Sequence, residues 1–307
     1  MRALKGRIMH PSPASVRQYR QQCRLDRAPR ETQRVATLFG LMKDLDPTHD
    51  TKEAALPFET IAVQVTPRGI ATVLLNRPDR GNAFNRAMLA ELHRALGELE
   101  ADEATRLAVL RGVGAHFCAG ADLADREDQA ASSTGPAMLD VLAALDNLPK
   151  PTIAAVDGGA IGGGAAIAAC CDIVVATDAA FFSIPEVRIG MAPVRLAPLF
   201  IRAMGQRSFR RYGMSGERIR APEALRIGLA HQLCAPPALD ATVAEIADAL
   251  LHGAPGAIRE LKSACVRLAT PPWPAEASQA RARTAEAIEG IASFREKRKP
   301  SWYPGSA

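Results

Sequence analysis

The stretch Ala160–Asp172 reads AIGGGAAIAACCD, and the earlier stretch His116–Leu123 reads HFCAGADL. Each places small residues where a strand gives way to a helix, so each is expected to open a helix whose first N–H groups lack an intrahelical partner. Glycine and alanine there let a ligand approach the main chain closely. Two such donors aimed at one carbonyl oxygen stabilise a developing negative charge, each typically worth about 2.7 to 4 kcal/mol of barrier. Tight helix packing explains either run alone better; the pair together points to chemistry.

Outward from these runs the pattern is α/β. Ile61–Val65, Ile70–Leu75, Leu107–Arg111, Thr152–Val156 and Ile173–Ala176 read as strands. Leu89, Leu92, Leu96 and Leu99 share one helical face, as do Met138, Leu142 and Leu145. The uncharged stretch Gly158–Cys171 is too short to cross a bilayer and reads as a buried helix. Beyond about Pro222 strands are not expected, and Leu239, Val243, Ile246 and Leu250 begin a run of helices lasting to about Arg295. Three regions follow: a basic, partly disordered extension at 1–57, an α/β core at 58–221 and a helical region at 222–307.

With 307 residues, 48% of them hydrophobic, the chain can bury a sizeable core. Its net charge of +5 is unevenly spread, because residues 1–41 hold nine Lys/Arg and two Asp/Glu and residues 42–307 therefore sum to −2. The basic pI thus belongs to the leader, which argues against nucleic-acid binding by the core. Pro11, Pro13, Pro29, Pro47 and Pro57 interrupt that leader. It lacks the apolar stretch of a secretory signal, suits an organellar transit peptide, and is also consistent with a start at Met42. The six cysteines (Cys23, Cys118, Cys170, Cys171, Cys234, Cys265) show no C-x-x-C spacing and read as reduced apolar fillers in a cytoplasmic protein. The scattered histidines suggest no metal site. Phosphate-cradling G-x-x-x-x-G-K-[ST] and G-x-G-x-x-G patterns do not occur, and Gly213–Gly216 has the wrong spacing for a G-x-S-x-G nucleophile elbow.

Seven segments, in order, resemble the enoyl-CoA hydratase/isomerase (crotonase) superfamily. They are NRPDRGNAF (Asn76 to Phe84), HFCAGADL, PKPTIAAVDGGAIGGG (Pro149 to Gly164), CDIVVAT (Cys171 to Thr177), FFSIPEVRIGMAP (Phe181 to Pro193), SGERIRAPEALRIGLAH (Ser215 to His231) and FREKRKPSW (Phe294 to Trp302). The resemblance implies an α/β, ClpP/crotonase-like spiral of ββα units. A C-terminal helical region would build a homotrimer or a hexamer of paired trimers. It implies an acyl-CoA substrate, with coenzyme A as part of that substrate and no separate cofactor, metal, nucleic acid or membrane. By position, the N–H groups of Ala121 and Gly163 match the oxyanion-hole donors. Arg77, Ala83, Ala119 and Asp122 match the coenzyme A path, and Phe294 and Lys297 match residues that reach a neighbouring subunit's coenzyme.

Of the superfamily's two catalytic glutamates, the resemblance assigns one to Glu186, in the Pro-Glu step of SIPEV. Ala166 occupies the place of the other. An alanine cannot carry a proton, and the atoms it lacks relative to glutamate vacate space that could accept a branched acyl group or an ordered water. With one carboxylate, chemistry alone favours moving a double bond, Δ3 to Δ2, since a single base can take and return the proton.

The stretch from Pro185 to His231 instead resembles the bacterial 3-methylglutaconyl-CoA and isohexenylglutaconyl-CoA hydratase branch, which favours hydration. A second carboxylate on such a substrate suits an arginine grip, for which Arg195 is the first candidate and Arg188 the second. Asp125, Glu127 and Asp128 could supply a further base, and His116 lies next to the first run. A non-catalytic assembly protein or an RNA-binding homologue is the remote alternative, and the mixed charges of Arg86 to Arg106 argue against RNA.

Overall fold

The computed structural model describes residues 58–122, 135–267 and 284–305, so the predicted extension at 1–57 lies outside the described residues. An antiparallel hairpin of β1 (Ile61–Val65) and β2 (Ile70–Leu75) opens the fold and leads to helix α1 (Arg86–Ala101). Asn85 caps that helix, its side chain accepting from the Met88 N–H at 2.9 Å. Three repeats of strand, strand and helix follow: β3 (Leu107–Gly112), β4 (His116–Cys118), α2 (Met138–Asn147); β5 (Thr152–Val156), β6 (Gly159–Ile161), α3 (Gly163–Cys170); and β7 (Ile173–Thr177), β8 (Phe181–Ser183), α4 (Ala197–Ser215).

Each repeat gives its longer strand to one sheet and its shorter strand to another. The larger sheet runs β1-β2-β3-β5-β7-β10, where β10 is Gln232–Cys234, and the smaller runs β4-β6-β8-β9, where β9 is Arg218–Arg220, with β4, β6 and β8 parallel. This is a spiral of ββα units. Strand β9 (Arg218–Arg220), helix α5 (Ala221–Arg226), strand β10 (Gln232–Cys234) and helices α6 (Leu239–Leu251), α7 (Pro255–Arg267) and α8 (Ala285–Glu296) complete the described chain.

Alternation along the long strands sends their side chains into two cores. Ala71, Val73, Ala108, Leu110, Ala154, Val156, Val174 and Ala176 face α1, α2 and α3. Ile70, Leu107, Val109, Ile153, Ala155 and Val175 pack against Leu239, Val243, Ala247 and Leu251 of α6. Each fully buried aliphatic side chain of this kind contributes roughly 1.5 to 3 kcal/mol, so α6 is firmly joined to the sheet.

Two expectations need correction. Strands do not end at Pro222, because β10 pairs in parallel with β7 and closes the larger sheet. The stretch Gly158–Cys171 is divided between β6 and a wholly buried α3 rather than forming one helix. Helix α6 begins at Leu239 as expected, burying Leu239, Thr242, Val243, Ala247 and Leu251, with Ile246 and Leu250 partly buried beside them.

Candidate active site

The three parallel short strands end side by side, and each delivers one part of the site. After β4, Gly120 adopts a left-handed backbone (φ +90°) and Ala121 forms an isolated parallel bridge with Phe84. The Phe84 N–H donates to the Gly120 carbonyl at 2.8 Å, and the Asp122 N–H donates to the Phe84 carbonyl at 2.9 Å. This pattern uses the residues flanking Ala121 and leaves its own N–H without an acceptor among the described residues. The first run of small residues was expected to open a helix; as far as Asp122 a bridge holds it, and the rest of that expectation falls on residues 123–134, which lie outside the described residues.

After β6, Gly162 (φ +55°) turns the chain into α3, and its N–H donates to the Ser183 carbonyl of β8 at 2.8 Å. Gly163 is then the first helical residue, and its N–H also lacks an acceptor among the described residues. The glycines are sterically required. A Cβ on Gly164 would lie 2.3 Å from the Cys118 carbonyl oxygen, and one on Gly120 would lie 2.8 Å from the Ile161 carbonyl oxygen. The ends of β4 and β6 therefore touch through bare backbone.

After β8, Pro185 leads into a short 3-10 turn that starts at Glu186. The Glu186 carboxyl lies against Gly162, where an added Cβ would meet its Oε1 at 2.8 Å. Its Oε2 is buried with no hydrogen-bond partner. Burial pushes this carboxyl above its ordinary value, partly opposed by the residue's own backbone N–H.

Ala121, Gly163 and Glu186 line one cavity of about 320 Å³. Its other walls are mainly apolar, from Phe84, Met138, Leu139, Ile189, Met191 and Leu196, with Arg195 at the margin. Chemically, this is two backbone donors and one carboxyl around a largely apolar space.

The model for the family Enoyl-CoA hydratase/isomerase matches residues 65–304. The chain belongs to the enoyl-CoA hydratase/isomerase family. It is 34% identical to the mevalonyl-coenzyme A hydratase sidH of Aspergillus fumigatus over 258 residues, 76% of this chain and 92% of that protein. It is 31% identical to the carnitinyl-CoA dehydratase of Proteus mirabilis over 266 residues, 78% of this chain and 98% of that protein. The crystal structure of an enoyl-CoA hydratase from Shewanella pealeana superposes with a TM-score of 0.73 at 30% identity, covering 85% of this chain and 99% of that one.

Within this family member, Arg77, Ala83, Ala119 and Asp122 come together beside the cavity without lining it. The Arg77 guanidinium donates to the Ala83 carbonyl and pairs with Asp122 at 3.1 Å, while the Ala119 N–H donates to the Gly81 carbonyl at 2.9 Å. Phe294 and Lys297 belong to α8 and its C-terminal cap, and neither lines the cavity. Phe294 is 85% exposed.

Ala166 and Arg188 stand differently from expectation. Ala166 is wholly buried in the core cluster and does not line the cavity, so it opens no space there. Arg188 is exposed and turned toward the end of α4, where its Nε donates to the Ser215 carbonyl at 3.2 Å. His116 accepts from the Gly159 N–H at 3.2 Å and packs edge-on against Phe181, holding β4 to β6. Asp125, Glu127 and Asp128 lie outside the described residues.

Sequence reasoning missed Phe84, the cavity's aromatic wall, although the motif that ends on it was recognised. It also counted Met138 as helix core. Helical spacing cannot separate a residue facing the core from one facing a cavity at the helix start. Asn82 was missed too. It is wholly buried with φ +57°, its Nδ2 donates to the Val113 and His116 carbonyls, and its Oδ1 accepts from the Arg77 N–H. An asparagine followed two residues later by the cavity phenylalanine was the available signal, since asparagine tolerates the left-handed region.

Proposed function

We propose that this chain hydrates an enoyl-CoA thioester, with the N–H groups of Ala121 and Gly163 as an oxyanion hole and Glu186 as acid and base. The observation that carries the reading is the Glu186 carboxyl, buried across Gly162 from those donors with one oxygen unpartnered. The donors draw electron density onto the thioester oxygen and make the β-carbon electrophilic. Burial favours the neutral carboxyl, which is bifunctional. One oxygen gives its proton to the α-carbon while the other takes a proton from the water adding at the β-carbon. The carboxyl ends the cycle as it began.

Glu186 is the one carboxyl lining the cavity among the described residues, and that favours a second reading, Δ3,Δ2-enoyl-CoA isomerisation. There the ionised carboxyl takes a proton from C2 and returns it to C4. Neither reaction calls for a redox group or metal. Substrates of the methylglutaconyl type are the finer reading, supported by Arg195, which lines the cavity and has no ion pair among the described residues. Arg77, Ala83, Ala119 and Asp122 would lie along the coenzyme. Ile288, Ile291 and Phe294, all exposed on α8, support assembly as a homotrimer or hexamer.

A panel of trans-2-enoyl, trans-3-enoyl and glutaconyl-type thioesters, run on wild type and Glu186→Gln, tests this. Expected is hydration of the trans-2 substrate, reduced about 10² to 10⁴-fold in the variant. Turnover of the trans-3 substrate alone establishes the isomerase, and inactivity across the panel overturns both. An Arg195→Ala variant with unchanged KM for the glutaconyl thioester excludes the distal grip.

A further inference from the structure

The core carries little net charge, yet residues 188–226 hold nine arginines and two glutamates. All nine arginines are exposed. Arg202 pairs with Asp146, Arg211 with Glu217 and Arg226 with Glu223. Arg188, Arg195, Arg207, Arg210, Arg218 and Arg220 have no carboxylate partner among the described residues.

Six of the nine arginines lie on helix α4 and the strand β9 that follows it. Helix α4 is broken at Gly205 (φ +77°), and in its second half Arg207, Arg210, Arg211 and Met214 recur at helical spacing on the solvent face. The opposite face is buried through Tyr212 and Gly213, with Phe209 stacked on Phe200 at 5.7 Å. From α4 the chain turns at Gly216 into the edge strand β9, where Arg218 and Arg220 are exposed on either side of buried Ile219. Arg188 binds the carbonyl at that turn, and the Tyr212 hydroxyl donates to Glu223, joining α5 to the same surface. Among the arginines stand large exposed aliphatic side chains: Val194 at 70%, Met214 at 67%, and Leu225 and Ile201 less so.

We propose that this face docks on an anionic lipid surface. Guanidinium groups without a carboxylate partner fit phosphate and carboxylate headgroups, and exposed aliphatic side chains of the same segment fit the acyl boundary below. A single-stranded nucleic acid would instead call for exposed aromatic rings as stacking platforms, and the large exposed hydrophobics of this segment are aliphatic. Docking would hold the enzyme where amphiphilic thioesters concentrate, and it does not depend on which reaction the cavity performs.

The test is co-sedimentation of the full chain with phosphatidylcholine vesicles, with and without phosphatidylserine, across a salt series. Binding is expected to require the anionic lipid and to weaken with salt. Each basic residue near such a surface is worth about fivefold in partitioning. The Arg207→Glu/Arg210→Glu double variant should therefore lose roughly 25-fold or more. Met214→Asp should weaken binding at every salt concentration. The leader's charges are the same in every variant, so the differences report on this face, and turnover of a soluble thioester checks folding. The proposal is overturned if the vesicles bind equally without phosphatidylserine or the variants bind as wild type does. It also fails if charge reversal changes the assembly's mass, which would make the face a contact between copies, or if RNA binds while vesicles do not.

Discussion

A single methyl group at Gly163 separates the backbone-donor reading from a packing role for this glycine. The added Cβ would lie 2.6 and 2.7 Å from Phe84 Cε1 and Cζ and 3.4 Å from Met138 Cε. Carbon atoms rest at about 3.5 to 4 Å, so the ring edge must retreat by about 1 Å. The Phe84 backbone is bonded to the residues on both sides of Ala121, so displacing the ring disturbs the first donor while the methyl crowds the second. Loss of one donor costs about 2.7 to 4 kcal/mol, a drop of about 10² to 10³ in kcat. Folding should change far less, because overpacking costs about 1 to 3 kcal/mol and alanine recovers about 1 kcal/mol of helix propensity. Steady-state kinetics with a trans-2-enoyl thioester and urea denaturation, run together, separate the two effects. Phe84→Leu in the Gly163→Ala background removes the clashing atoms and should recover part of the lost kcat, giving a positive coupling in the double-mutant cycle. Wild-type kcat/KM in Gly163→Ala, or a loss indifferent to Phe84→Leu, would refute the reasoning.

Glu186→Gln should stabilise the fold near neutral pH while reducing turnover about 10² to 10⁴-fold. A carboxyl whose folded pKa is raised binds more protons in the folded state, so stability falls as pH rises from the ordinary carboxylate value through the folded one. The variant's advantage in Tm should vanish in acid and grow across that window, and a gap independent of pH would contradict the burial argument. Asn82→Ala removes three buried hydrogen bonds at a left-handed position and should cost about 3 kcal/mol in urea unfolding. A loss below 1 kcal/mol would mean that the loop does not depend on this side chain. Among the described cysteines, Cys265 is exposed and should be alkylated first in a mass-resolved time course, whereas burial pushes the Cys118 and Cys170 thiols up to about 12 and should protect them until unfolding.

Long strands were legible because hydrophobic patterning needs length. The bounds of β1, β2 and β5 match the expectation residue for residue, since each is a run of five or six apolar or alternating positions ended by turn residues. The three-residue strands β4, β6 and β8 carry no period, yet their ends make the site. What revealed them indirectly was glycine, required where backbone meets backbone at Gly120 and Gly164. The cavity's aliphatic walls stayed hidden because Leu139, Ile189 and Leu196 have the chemistry of core residues. Cys265 is the reverse case, an expected filler that is exposed.

The proposed donors and the proposed proton carrier are built separately, and position 166 belongs to neither. The donors depend on Gly162, Gly163 and the Phe84 bridge, and Glu186 arrives from a different strand end, so alanine at 166 disturbs neither. Restoring a glutamate there would add roughly four heavy atoms within a core cluster where Ala165, Ala166 and Ile167 are all essentially inaccessible, against an overpacking penalty of about 1 to 3 kcal/mol. A carboxylate placed there without a partner adds a desolvation cost that neutralises it. Ala166→Glu should therefore lose at least about 2 kcal/mol in urea unfolding, lose more as pH rises because its folded pKa is raised, and leave hydration no faster. A variant as stable as wild type that hydrates faster would show that the side chain reaches the cavity and that the space beside Ala166 admits a second carboxylate.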